Sequence, residues 1–142
     1  MGHLWQNRFY SCALDEAHAV SALAYVELNP VRAGLVKKPW AYPWSSAAAH
    51  CGRRPARPVL DMADWRERTD GIDWIATLEA VAGDAEVVGR IRTNTHTGRP
   101  LGSDSFLSKL EVLLGRRVRP LPEGRPKDWR KPKPATGRRN NR

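Results

Sequence analysis

The sequence predicts an α+β chain: one aromatic-rich strand near the start, a mainly helical remainder and a basic tail. Three observations carry this. Residues 4–14 (LWQNRFYSCAL) alternate imperfectly between apolar and polar and are rich in aromatics, as a strand requires. Apolar residues then recur at helical spacing behind Asp and Ser residues placed to act as N-caps. Finally, the net charge of +9 is segregated: residues 116–142 hold eleven of the 24 Lys and Arg against only Glu123 and Asp128, so the preceding body is neutral.

The strand ends where Asp15 offers a cap. DEAHAVSALAYVEL has helical composition, with Asp15 and Glu16 complementing the dipole, and stops near Asn29-Pro30 because proline restricts the residue before it. Pro30, Gly34, Pro39 and Pro43 then punctuate a loop that has room for one or two short helical turns. Residues 51–58 (CGRRPARP) read as a linker. Beyond it, Asp73 precedes Trp74, Ile75, Leu78 and Val81, Asp84 caps a helix running to about Asn94, and Ser103 caps another carrying Phe106, Leu107, Leu110, Leu113 and Leu114. Gly115 stands where a C-terminal stop is favoured. The stretch from Asp84 to Gly115 also admits a helix-turn-helix with an overlong turn.

Composition excludes some classes of function. No stretch approaches the roughly 18 apolar residues of a membrane span, and the N-terminus lacks a signal-peptide core. Cys12 and Cys51 have no CxxC spacing and read as two reduced thiols. A terminal block of positive charge attracts polyanions through counterion release, without specifying sequence; a merely solubilising tail is the alternative.

On a helical wheel zeroed at Val20, Leu23, Ala24 and Val26 fall within about 120° of it, on the expected core side. Tyr25, His18 and Asn29 fall near 140°, 160° and 180°, a polar face beside small Ser21 and Ala22. Glu27 is the exception, an acid between Val20 and Leu23 on the apolar side. A tyrosine can attack a phosphodiester and store the bond energy in a phosphotyrosine link. With an ordinary pKa near 10 it needs help, normally from a divalent metal, and an amide oxygen one turn on can reach such a metal. Tyr25 and Asn29 have that spacing, although by spacing alone an exposed tyrosine and a C-capping asparagine suffice.

The surrounding run adds information. Leu4-Trp5-Gln6-Asn7-Arg8-Phe9-Tyr10, Tyr25-Val26-Glu27-Leu28-Asn29-Pro30-Val31-Arg32-Ala33-Gly34, and Trp40-x-x-Pro43-Trp44-Ser45-Ser46 resemble, in order and spacing, the second half of the catalytic domain in REP-associated tyrosine transposases. The resemblance implies that residues 1–50 are the remnant of an antiparallel-sheet catalytic domain, keeping one strand and the tyrosine helix. The linker at 51–58, a helical extension at 59–115 and a disordered basic tail at 116–142 would follow. It implies Tyr25 as nucleophile, Asn29 as a metal ligand, Mg or Mn as cofactor, hairpin-forming single-stranded DNA as partner, and a bacterial cytoplasm associated with the chromosome. Candidate DNA contacts are Arg8, Arg32, Lys37 and Lys38, with Arg116, Arg117, Arg119, Arg125, Lys127, Arg130 and Lys131 in the tail. The family's His-hydrophobic-His metal pair has no counterpart among His3, His18, His50 and His96, so the chain alone is expected not to nick DNA. Trp40 and Trp44 can stack on unpaired bases, but their proline-flanked setting suits core packing better.

Overall fold

The computed structural model describes residues 11–121, which are mainly helical. Helix α1 (Glu16–Glu27) is followed by short α2 (Asn29–Arg32), a 3-10 turn at Pro39–Ala41 and short α3 (Ala47–His50). Four further helices complete it: α4 (Met62–Arg68), α5 (Trp74–Gly83), α6 (Ala85–Thr97) and α7 (Asp104–Leu114). No helix among the described residues is long and apolar enough to cross a membrane.

Local chemistry accounts for most boundaries. The side chains of Asp15, Asp61, Asp73, Asp84 and Ser103 each accept a backbone N–H at the start of α1, α4, α5, α6 and α7. Pro30 lacks an N–H and falls in the first turn of α2, where none is needed, so the chain resumes as a helix after Leu28 instead of unravelling. Helix α2 ends in a paired closure, with Gly34 N–H donating to Val31 O and Leu35 N–H to Pro30 O. That closure needs the left-handed φ of 71° that Gly34 supplies.

Of the expected sheet remnant, the described residues contain one isolated bridge. Residues 4–10 of the predicted strand lie outside the described residues, and in 11–14 only Leu14 pairs, in one parallel bridge to Leu101. Leu101 N–H donates to Ala13 O and Asp15 N–H to Leu101 O. The partner is the α6–α7 connection, not an antiparallel neighbour. Asp15 clamps the same junction: its Oδ2 accepts from Ser103 N–H at 2.7 Å while Oδ1 accepts from His18 N–H at 3.0 Å. Gly102 permits this approach, because a Cβ there would collide with the Phe106 ring and crowd Asp15.

The core joins Ala24 and Leu28 of the tyrosine helix to Trp65, Trp74, Leu78 and Val81 from α4 and α5. Residues 11–50 and 59–115 thus share apolar contacts across the exposed 52–58 stretch. The buried side of α1 is rotated from the expected one. Ala24, Glu27 and Leu28 are buried, whereas Leu23 is 39% and Val26 60% exposed. Glu27, only 4% exposed, lies in the middle of the core.

A buried carboxylate is tolerated only when its lone pairs are taken up. Glu27 Oε1 accepts from the Ser46 hydroxyl and from His50 Nδ1 at 2.6 Å, and Oε2 accepts from Trp74 Nε1 at 2.9 Å. The His50 ring stacks on Trp65 with centroids 3.6 Å apart and planes 4° from parallel, and Trp65 meets Trp74 edge-on at 4.6 Å. Burial, with the Glu27 charge adding to it, pushes the nearby Cys51 thiol up to about 11, so it is unreactive.

Two stability predictions follow from this packing. Glu27→Ala strands three donors and should cost about 3–5 kcal/mol in urea unfolding, and Trp74→Phe, which removes one, about 1–3 kcal/mol; losses below about 0.5 kcal/mol would contradict the arrangement. The Ser103 N–H above all, against opposing desolvation and with help from His18, lowers the Asp15 carboxyl from 3.8 to about 2. A carboxyl depressed on folding stabilises fully above its unfolded pKa and loses that contribution as pH falls through its folded one. The stability gap between the unaltered chain and Asp15→Asn should therefore narrow as pH drops from about 4 to about 2, and a gap that stays constant would be the contrary result.

Candidate functional site

Tyr25 lies half-buried on the side of α1 that faces α6. Arg92 of α6 donates from Nε to the Tyr25 hydroxyl at 3.3 Å, and the Arg32 guanidinium carbon stands 3.9 Å from the ring centroid. Arg32 also donates to Tyr25 O at 2.9 Å, tying down the end of α1, and to the Asn29 side-chain oxygen. The phenol thus stands beside two guanidiniums, one from its own end of the chain and one from α6, 67 positions beyond Tyr25. Burial, with Arg92's charge adding and Tyr25 opposing, draws the Arg32 guanidinium below its ordinary value. It remains charged, as arginine does in proteins.

Along the same seam, a cavity of 160 Å³ lies between α1 and α6, lined by residues including His18, Ser21, Arg90 and Ile91. The Arg90 guanidinium comes within 3.4 Å of His18 Nε2, and His18 Nδ1 is 2.5 Å from Asp15 Oδ1. His18, which shares the tyrosine face, is therefore part of the cap of α1. Two like-charged guanidiniums beside one phenol repel each other, and an anion in reach of both would relieve that repulsion.

A divalent cation does not fit the residues around Tyr25. The Asn29 side-chain oxygen is occupied by Arg32, and no group of three or more His, Cys, Asp or Glu suited to a metal occurs among the described residues. Two arginines beside the phenol add an electrostatic penalty for any cation there.

The remaining candidate residues are scattered. Lys37 and Lys38 are exposed beyond Gly34, and Lys38 Nζ lies 5.4 Å from the Trp40 ring centroid. Arg116 is exposed and Arg117 donates to Pro120 O. Arg119 is held against α7 by Glu111, by the Ser108 hydroxyl and by Asp104 O, which turns the start of the basic segment back on the helix. Arg8, Arg125, Lys127, Arg130 and Lys131 lie outside the described residues, as does the tail beyond residue 121. Sequence reasoning missed Arg92, which no local pattern links to Tyr25. It registered Glu27 as an anomaly but not its partners; a charge on an apolar face is itself the signal that donors must be sought elsewhere.

Comparisons with known protein families, with characterised proteins and with solved structures find no match to this chain.

The engagement of Asn29 by Arg32 has a direct test. Paramagnetic Mn added to the chain should leave the Asn29 side-chain amide signal sharp, and its selective broadening would show that the amide binds metal after all.

Proposed function

We propose that this chain engages the phosphodiester backbone of single-stranded or hairpin DNA at Tyr25, as part of a protein of the REP-associated tyrosine transposase type acting in DNA transposition. The observation that carries the reading is the Tyr25 phenol with Arg32 against its ring and Arg92 at its hydroxyl. A phosphate oxygen in reach of both guanidiniums would receive charge-assisted hydrogen bonds, with phosphorus beside the hydroxyl. In the reaction that the resemblance implies, a bond forms from the phenol oxygen to phosphorus as one bond from phosphorus to a deoxyribose oxygen breaks. The phenol proton passes to that leaving oxygen, so a later reversal rejoins the strand without an outside energy source. The arginines would stabilise the charge that develops on the phosphoryl oxygens.

The exposed apolar side of α1, at Leu23 and Val26, is in keeping with a helix built to pack against further elements, such as the sheet the family carries. Mg or Mn enters this reading only through donors outside the described residues. Arg116 and Arg117 would add sequence-independent backbone contacts, and a bacterial, chromosome-associated cytoplasmic setting follows from the same resemblance.

A second reading is favoured by the state of Asn29. With its oxygen taken by Arg32, the chain holds DNA and performs no chemistry. Trapping on a denaturing gel separates the two, because an adduct that forms with Mn and is lost in Tyr25→Phe supports catalysis, whereas no adduct from the unaltered chain leaves binding alone. Under both readings Arg92→Ala should weaken hairpin DNA binding about ten-fold or more and make its salt dependence shallower, with the urea midpoint nearly unchanged. Unchanged affinity would overturn the phosphate site.

A further inference from the structure

The segment between Glu27 and Asp61 contains no acidic residue and carries Arg32, Lys37, Lys38, Arg53, Arg54 and Arg57. It also carries two tryptophans: Trp40 is half-buried near Leu28 and Leu78, whereas Trp44 departs from the core packing that its proline-flanked setting suggests. Trp44 is 76% exposed, and the Arg57 guanidinium carbon stands 5.5 Å from its ring centroid, near the outer limit of a cation–π contact. Trp40 has Arg53 at 4.5 Å and Lys38 at 5.4 Å from its ring.

Trp44 forms one wall of a pocket of 140 Å³ that opens between residues 43–46, α3 and the 54–60 stretch. Ala48, Ala49 and Leu60 give it an apolar floor, and Arg54 and Arg57 are at its rim. Of the polar groups that line it, the Ser46 hydroxyl donates to Glu27, Ser45 Oγ accepts from Ala47 N–H, and Arg57 donates to Pro43 O at 3.4 Å. The pocket therefore offers a flat aromatic face, an apolar slot and two cations, with little to read a hydrogen-bonding edge.

We propose that this pocket holds an unpaired nucleobase of a single DNA strand, stacked on Trp44, with the flanking phosphates carried by Arg54 and Arg57. Every base has a π-face, so stacking tolerates sequence, and guanidiniums on the rim match the charge on either side of the base. A duplex keeps its bases stacked on one another and does not fit. The site is distinct from Tyr25, and its occupancy does not depend on any chemistry there.

The full chain would be titrated, by fluorescence anisotropy, with labelled oligothymidine and with an abasic strand of the same length. The unaltered chain should prefer the strand with bases. Trp44→Ala should reduce that preference by about 5- to 150-fold, while Trp44→Phe keeps most of it. Replacing Arg54 and Arg57 by alanine should weaken both strands alike and flatten the salt dependence. Equal affinity of the unaltered chain for the two strands, binding to neither, a preference that survives Trp44→Ala, or one lost as fully in Trp44→Phe would each overturn the proposal. The Arg92→Ala measurement reads the Tyr25 site independently, since its effect is expected on strands with and without bases.

Discussion

The fold depends on satisfying one buried acid. Glu27 sits at the end of α1, and its two oxygens take donors from Ser46 and His50 of the α3 turn and from Trp74 of α5. Because a stranded carboxylate in that position costs several kcal/mol, the α3 turn and α5 must both be in place before α1 can be buried. The stacked His50 and Trp65 rings close the arrangement from α4. A chain with a modest apolar core thereby gains a directional tie among four helices, which fixes the rotation of α1 and so the direction in which Tyr25 points.

That rotation also explains what the sequence revealed and what it hid. Asp15, Asp84 and Ser103 are legible as caps because capping depends on residues within one turn. The apolar spacing of Trp74, Leu78 and Val81 located α5 for a similarly local reason. Helix α4 was not legible: MADWRER buries only Trp65 and has no repeating apolar stripe. The face of α1 was read too far toward Leu23 and Val26, since an apolar count cannot know that a carboxylate will be matched by partners elsewhere. Contacts that define the Tyr25 environment arise from a helix far along the sequence, and no periodicity announces them. The polar side of α1 containing Tyr25, His18 and Asn29 was anticipated, but His18 and Asn29 prove to be engaged by Asp15 and Arg32.

Electrostatics divides the surface in two. Around Tyr25, two exposed arginines are held close to a phenol by contacts to its ring and hydroxyl. Around Trp44, the cations are on exposed side chains of a proline-rich stretch, where charge is screened and the aromatic face supplies the more selective attraction.

The parallel bridge between Leu14 and Leu101 sets the order in which the molecule can assemble. Its companion contact from Asp15 to Ser103 spans 88 positions, so closing it early would sacrifice much chain entropy for very few bonds. Helices α1 and α5 must first dock and shorten the distance, which makes the bridge a latch that shuts last and opens first. Amide exchange at Leu101 would then report fraying of the α6–α7 end, leaving the tryptophan-lined interior closed to solvent.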